Sequence, residues 1–119
     1  MNLLSLFRNE KQIENYSAGQ CIFSAGDPGT VMYVVTEGAV DVIANGRVIE
    51  TIEAGGILGE LALVDQSARS ATAVAKTECK LAAIDERRFT FLVQETPFFA
   101  LHVMGVMARR LRRQTEQMA

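Results

Sequence analysis

The chain has 119 residues, of which 49% are hydrophobic and 22% are charged, close to the average for soluble globular domains. This length predicts one domain, residues 1–119, which buries roughly two thirds of its unfolded surface. The composition argues against disordered and fibrous classes. The net charge is −2, and residues 1–108 hold eight cationic and thirteen acidic side chains, so no overall positive field favours nucleic acid.

Membrane and secretion signals are weak in this sequence. The longest uninterrupted apolar run, Val31–Val35, is too short to cross a bilayer. The first seven residues lack the cationic region and the small-residue cleavage site of a signal peptide. Cys21 and Cys79 both lie in apolar stretches, and two thiols this far apart define neither a disulfide framework nor a metal site. We therefore expect two buried, reduced cysteines in a cytoplasmic protein.

Short β-rich runs separated by turn residues occupy the chain from Ile13 to Ile84. Asn45-Gly46, between two such runs, predicts a type I′ hairpin. Many short strands with Gly-rich turns indicate a sandwich or barrel rather than alternating strands and helices. The strands that this pattern predicts most clearly are Gln20–Ser24, Val31–Thr36, Ala39–Ala44, Arg47–Ile52, Ala71–Lys76 and Cys79–Ile84.

Helices are predicted at the two ends of the chain. Asp85 is a candidate N-cap for a short helix over Arg87–Glu95. Pro97 suits the first turn of a longer helix that runs to about Gln117, and Met1–Asn9 is predicted to form a short helix. The sequence thus predicts a mainly β domain with flanking helices: a roll over about 13–84 and C-terminal helices over about 86–117.

The long C-terminal helix has two apolar faces. One is a heptad-like seam, and the other contains Val103 and Met107. A helix with apolar surface in two directions is able to pack on its own barrel and on a second subunit, so we expect a homodimer formed through this helix. The seam consists of Leu101, Met104, Ala108, Leu111, Thr115 and Met118.

Residues 57–73 interrupt the strand pattern and contain the candidate site. Gly59 permits a close backbone approach, and Glu60–Val64 is suited to a single helical turn whose N–H groups attract anions. Arg69, beside Ser70, is suited to bind a phosphate, while Glu60 is suited to accept a hydrogen bond from a sugar hydroxyl. Two interpretations remain open from the residues alone: a small-ligand pocket, or a surface turn with an ordinary Glu60–Arg69 ion pair.

A family resemblance favours the pocket. The sequences Gly59-Glu60-Leu61-Ala62-Leu63 and Ala68-Arg69-Ser70-Ala71-Thr72 resemble the phosphate-binding cassette of the cyclic nucleotide-binding domain family, in particular its bacterial catabolite activator-like branch. The resemblance implies an eight-stranded antiparallel β-roll, jelly-roll-like, with a short N-terminal helix and a long C-terminal helix. It also implies a regulatory module rather than an enzyme, with a cyclic nucleotide as ligand and no metal.

The same resemblance implies a role for each site residue. Glu60 would accept the ribose 2′-hydroxyl, and Arg69 would pair with the cyclic phosphate. Ser70 favours cyclic AMP over cyclic GMP, because cyclic GMP sites often have Thr there. Ligand binding would move the C-terminal helix about a hinge near Pro97. The other residues expected to contact ligand are Gly59, Leu61, Ala62 and Ala71 in the cassette, Ile49 against the base, and Arg110, Gln114 and Thr115 on the C-terminal helix.

Three features depart from the family pattern. Gly55-Gly56 stands where the family usually has Gly-Asp, and Ile57-Leu58 lacks the usual Phe. Gln114 replaces a Thr, which affects base specificity, and the N-terminal helical segment is short. None of these changes affects Glu60 or Arg69.

Other functions fit the residues less well. A metal enzyme of the cupin type needs several His, and His102 is the only one. A haem role for it is less expected than a packed or surface position, and two Cys are too few for an iron–sulfur cluster. The arginines between 109 and 113 suit a helix end better than a DNA contact, and no recognition helix follows them. The alternatives kept are a ligand-independent dimerisation or interaction module, and the sensor fragment of a DNA-binding regulator.

Overall fold

Eight antiparallel strands form two four-stranded sheets, and helices lie before and after them. The computed structural model describes residues 3–118, and the side chains of residues 3–116. In chain order the elements are α1 (Leu3–Leu6), β1 (Ile13–Tyr16), β2 (Cys21–Phe23), β3 (Val31–Glu37), β4 (Ala39–Ala44), β5 (Arg47–Glu53), β6 (Ile57–Leu58), α2 (Glu60–Asp65), β7 (Thr72–Ala75), β8 (Cys79–Asp85), α3 (Glu86–Glu95) and α4 (Phe98–Met118).

The sheet order explains the apolar run in β3. One sheet has the order β1-β8-β3-β6 and the other β2-β7-β4-β5, so β3 is a central strand. Val34 packs in a core shared with the helices, whereas Val35 packs in a core between the sheets. A strand covered on both faces is apolar at successive positions rather than at alternate ones. The predicted fold class, a mainly β roll with flanking helices, is confirmed.

Local sequence signals set several element ends. Asn45 and Gly46 have φ angles of 54° and 74°, as a type I′ turn requires. The Asp85 side chain accepts a hydrogen bond from the Arg88 N–H at 2.8 Å and caps α3. The N-terminal helix is shorter than predicted, covering Leu3–Leu6, and Met1 lies outside the described residues.

The two cysteines have different environments. Cys79 is buried, and its burial raises the pKa of the thiol. Cys21 is exposed, so the prediction that both are buried is wrong for this residue. It begins β2, an edge strand of its sheet, and its Sγ lies 3.5 Å from the Ser24 hydroxyl.

The two C-terminal helices meet at a sharp angle. α3 and α4 are bent by 119° relative to each other across Thr96 and Pro97. Phe99 and Val103 of α4 are fully buried in the core shared with α1 and α3. No single helix within residues 3–118 is long and apolar enough to cross a membrane; only α3 and α4 together, as a bent pair, reach that length and apolarity.

Candidate functional site

The loop between β6 and α2 is shaped around an arginine. Gly59 has a φ of 78° and immediately precedes α2. A Cβ at this position would lie 2.5 Å from Nη1 of Arg69, so glycine is needed both for the backbone conformation and for the close approach. The sequence prediction that Gly59 allows such an approach is consistent with this packing.

Arg69 is held on several sides. Its side chain donates to the carbonyl oxygens of Gly59 at 3.2 Å and Val31 at 2.7 Å, and its guanidinium lies 4.1 Å from the ring centre of Phe23. Arg69 is 6% exposed, and burial lowers the pKa of its guanidinium. Its Nε–H is buried and has no hydrogen-bond acceptor among the side chains and backbone that the structure describes. A buried donor of a charged group without an acceptor is unusual and indicates a partner that the described chain does not supply.

The turn after β2 fixes the backbone of Arg69. The Arg69 N–H donates to the Asp27 carbonyl and the Gly26 N–H donates to the Arg69 carbonyl, both at 2.8 Å. Gly29, in the same turn, lies against the guanidinium, since a Cβ added there would lie 3.0 Å from Nε and would also overlap the Ala62 side chain. The turn Gly26-Asp27-Pro28-Gly29 therefore positions the arginine as well as reversing the chain.

Glu60, the first residue of α2, forms an ion pair with Arg110 of α4. Its side chain is 2% exposed, so this carboxylate is almost fully buried. Arg110 also contacts Glu50 of β5, with Nε 3.1 Å from Oε1, and donates to the Ile57 carbonyl at 2.7 Å. Because Glu60 and Arg69 are both buried, and Glu60 pairs with Arg110, the interpretation of this segment as a surface turn with an ordinary Glu60–Arg69 pair is wrong.

A cavity of about 350 Å³ brings these residues together. It is lined by β-strand residues, the α2 turn and one face of α4. Of the predicted site residues, those that line it are Gly59, Glu60, Leu61, Ala62, Arg69, Ser70, Ala71, Ile49, Arg110 and Gln114.

Thr115 differs from the other predicted residues. Its hydroxyl donates to the Leu111 carbonyl at 3.0 Å, one turn earlier in α4, and its side chain is exposed. It lies outside the lining of the cavity. Within one chain, therefore, Gln114 rather than Thr115 is placed beside the cavity.

A β-bulge brings two consecutive residues of β5 to the cavity. In the ladder with β4, Val42 is opposite Glu50 and Ile43 is opposite Val48, which leaves Ile49 as the extra residue. Side chains of a regular strand alternate between faces, and a bulge interrupts that alternation. Ile49 and Glu50 both line the cavity as a result.

Sequence reasoning missed three side chains of the site. Glu50 and Arg113 contact each other at 3.4 Å at the cavity wall, and Phe23 packs under the Arg69 guanidinium. These contacts join residues 46 to 63 positions apart, and no local motif marks them. The one available signal was that Glu50 follows Ile49, which was itself predicted to face the base.

Charge in the cavity favours an anion. Its lining contains three arginines, Arg69, Arg110 and Arg113, against two carboxylates, Glu50 and Glu60. Their formal sum is one positive charge, which complements a ligand with a single negative charge. Within residues 3–118, no three His, Cys, Asp or Glu residues are grouped so that they could hold a metal ion.

A larger cavity, of about 640 Å³, lies on the other side of α2, towards α3. Its lining includes Asp85 and Glu86 beside Arg87. These residues are exposed, and the Asp85 carboxylate is already used as the α3 cap. The smaller cavity is therefore the better candidate site, because two buried charged residues, Glu60 and Arg69, line it.

Comparison with known proteins identifies the family. Residues 13–96 match the family model described as the cyclic nucleotide-binding domain. The chain belongs to the cyclic nucleotide-binding domain family. Domains of this family are regulatory and non-catalytic, and the cavity described above contains the segment that resembles the family's phosphate-binding cassette.

Relatives of several kinds share this domain. A cAMP-dependent protein kinase regulatory subunit of Schizosaccharomyces pombe is 39% identical over 66% of this chain and 19% of its own. A cGMP-dependent protein kinase of Drosophila melanogaster is 37% identical over 68% of this chain and 7% of its own. The crystal structure of the Thermus thermophilus catabolite activator protein superimposes with a TM-score of 0.81 at 31% identity, covering 90% of this chain and 53% of that one. This chain thus spans about half the length of these relatives or less.

Proposed function

We propose that this chain is a cyclic nucleotide-binding regulatory module whose ligand lies in the 350 Å³ cavity. Arg69 binds the cyclic phosphate and Glu60 accepts the ribose 2′-hydroxyl. The observation that carries the proposal is the buried Nε–H of Arg69, which has no acceptor among the described residues and belongs to a side chain that lines the same cavity as the buried carboxylate of Glu60. A phosphate oxygen satisfies this donor, and an ionised Glu is an acceptor for a sugar hydroxyl.

The remaining cassette residues complete the phosphate and ribose contacts. Gly59 lets the loop approach the ligand, and the N–H groups of Leu61 and Ala62 at the start of α2 are oriented to donate to an anion. Ser70 and Ala71 follow Arg69 along the cavity lining. These roles follow from the family resemblance and from the position of the residues around the cavity.

The base lies between β5 and α4 in this proposal. Ile49 forms an apolar wall, and Arg110 and Gln114 line the opposite side. Cyclic AMP is favoured over cyclic GMP because residue 70 is Ser rather than Thr. The kinase regulatory subunit and the kinase compared above are named for different nucleotides, so their names support either ligand.

Ligand binding shifts the position of α4 in this proposal. The break at Thr96 and Pro97 separates α4 from α3, while Arg110 and Gln114 line the cavity 13 and 17 residues beyond Pro97. A ligand that contacts both α2 and α4 binds more tightly to the conformation in which both helices contact it. It therefore increases the population of that conformation. The output is therefore a change in the position of α4.

A second candidate function rests on the seam of α4. Leu101 and Leu111 are 60% and 59% exposed, while Val103 on another face is buried. An exposed apolar stripe on a helix whose other face is packed favours a second helix as partner. We propose a homodimer through α4 in the cytoplasm, with residues 1–119 forming one domain. A module that dimerises without a ligand, or the sensor part of a DNA-binding regulator, is the alternative.

Calorimetric titration with cyclic AMP and cyclic GMP tests the proposed ligand. We expect the wild-type chain to bind cyclic AMP more tightly than cyclic GMP, and Arg69→Ala to weaken binding by about 10- to 100-fold, the effect of losing charge-assisted hydrogen bonds of ~1.5–3 kcal/mol. The matched control is Arg112→Ala, because Arg112 is an exposed arginine of α4 outside the cavity lining.

The control variant should bind as tightly as the wild type. Absence of heat with both nucleotides would contradict the proposed function. Equal affinity of Arg69→Ala and Arg112→Ala would contradict the phosphate role of Arg69.

A further inference from the structure

Glu50 of β5 forms ion pairs with two arginines of α4. Its Oε1 lies 3.1 Å from Nε of Arg110 and 3.4 Å from Nη1 of Arg113, and its Oε2 lies 3.3 Å from Nη2 of Arg110. Two arginines of α4, one turn apart, thus converge on a single carboxylate of the sheet. The pairing with Arg110 is bidentate, which fixes the plane of the guanidinium as well as its position.

Arg110 lies between two carboxylates with different degrees of burial. Glu60 is 2% exposed and Glu50 is 26% exposed by side chain. A buried carboxylate is stable in its charged form only when its partner is held in good geometry. Glu50 and the Ile57 carbonyl supply that restraint, because they take the Nε and Nη2 donors of Arg110 and leave Nη1 for Glu60.

The bulge in β5 is what makes this arrangement possible. In a strand without this bulge, neighbouring side chains alternate, so Ile49 and Glu50 would point to opposite faces of the sheet. With it, one residue contributes an apolar wall and the next a charged contact to the same cavity. The bulge therefore joins the sheet to α4 at the position where the helix covers the site.

We propose that Glu50 is a positioning residue that holds Arg110 against Glu60 and anchors the C-terminal half of α4 over the cavity. This inference rests on the proposed function in one respect, namely that Glu60 accepts the ribose 2′-hydroxyl. Glu50 itself does not contact the ribose. It acts by keeping Arg110, and through it the Glu60 carboxylate, in the orientation that receives the hydroxyl.

The test uses Glu50→Gln, with Glu53→Gln as the matched control. Glu53 is an exposed carboxylate at the other end of β5, opposite Ala39 and outside the cavity lining. The ligands are cyclic AMP and 2′-deoxy cyclic AMP, which differ only in the hydroxyl that Glu60 is proposed to bind. Their affinity ratio measures the contribution of that hydroxyl in each variant.

We expect Glu50→Gln to lower the ratio by about tenfold, since the hydroxyl contact to a charged group depends on an oriented Glu60. Affinity for the deoxy nucleotide should change much less. A general loosening of the cavity would weaken both ligands equally and leave the ratio unchanged. Such an unchanged ratio, or an equal change in Glu53→Gln, would overturn the positioning role.

A second variant separates the two arginines. Arg113→Gln removes one partner of Glu50 but leaves the bidentate contact with Arg110, so we expect the ratio to stay close to that of the wild type. If Arg113→Gln lowered the ratio as much as Glu50→Gln does, Glu50 would act through Arg113, and the proposal would be wrong.

The anchoring of α4 is tested without any nucleotide. Hydrogen exchange of backbone amides in the C-terminal half of α4, followed by mass spectrometry, should be about tenfold faster in Glu50→Gln and unchanged in Glu53→Gln. Equal protection in both variants would overturn the anchoring. If the wild type bound neither nucleotide, the proposed function would fail, while this measurement would still decide the role of Glu50.

Discussion

Glycines 29 and 59 make room for one arginine in this site. A Cβ at either position would lie 3.0 Å or less from the guanidinium of Arg69, and at Gly29 it would also overlap Ala62. The arginine is thereby packed against backbone and the Phe23 ring, and it is one of the residues that line the cavity. At the scale of single residues, the site depends on glycine at positions 29 and 59 as well as on its charged residues.

Substitution of Gly29 tests this packing. We expect Gly29→Ala to lower the free energy of unfolding by ~1–3 kcal/mol, the usual effect of overpacking a close contact, and to weaken nucleotide binding because Arg69 is displaced. The measurement is chemical denaturation together with calorimetric titration.

The matched control is Gly105→Ala in α4, where the added Cβ would meet Arg109 at an ordinary 3.5 Å. This change should raise the free energy of unfolding by ~0.5–1 kcal/mol, as expected for Ala in place of Gly within a helix. A Gly29→Ala variant as stable as the wild type, with the same affinity, would show that the approach to Arg69 is not tight.

His102 is expected to be a packed or surface residue rather than a haem ligand. It is partly buried in α4, and burial together with nearby Arg109 lowers the pKa of its imidazole. A lowered pKa means that the neutral form is favoured in the folded chain. The imidazole is therefore mostly uncharged at neutral pH.

At the scale of elements, local signals predicted more than long-range contacts did. The Asn45-Gly46 hairpin and the Asp85 cap depend on neighbouring residues, and both are present. Whether Cys21 is buried depends on its position at the start of an edge strand, which no local pattern predicts. The prediction that Cys21 is buried was wrong. Glu50 was missed for the same reason, since its partners lie 60 and 63 positions along the chain.

The C-terminal helix shows both what local spacing predicts and what only long-range packing determines. Its two apolar faces were predicted from spacing, and the structure buries Val103 while leaving Leu101, Met104 and Leu111 exposed. Ala108 is partly exposed, Thr115 is exposed, and the side chain of Met118 lies outside the described residues. The stripe is therefore available to a second copy of the helix, as the homodimer proposal requires.

Sedimentation of Leu111→Glu tests the homodimer. Because Leu111 is 59% exposed, the change leaves the core of the chain intact, and a charge in the seam opposes helix pairing. We expect the wild type to sediment as a dimer and the variant as a monomer. Arg112→Glu, one residue away and off the seam, should remain dimeric. Wild type and Leu111→Glu with the same oligomeric state would contradict the seam as an interface.

At the scale of the whole molecule, the two hydrophobic cores support different parts of the site. The core between the sheets supports β5 and β7 around the cavity, while the core shared by α1, α3 and α4 determines where α4 begins. The charged residues of the site join these two halves, since Glu60 belongs to α2, Glu50 to β5 and Arg110 to α4. A ligand in the cavity would thus contact both the sheet and α4, the helix that moves in the proposed function.

Nuclear magnetic resonance of the Arg69 side chain tests the central claim most directly. The Arg69 Nε–H is buried without an acceptor in the described part of the chain, so its signal should move downfield when cyclic AMP saturates the protein, because a phosphate oxygen then accepts its proton. The backbone amides of Leu61 and Ala62 should shift with it. An unchanged Arg69 signal at saturation, or shifts concentrated around Asp85 and Glu86 at the larger cavity, would contradict the assignment of this site.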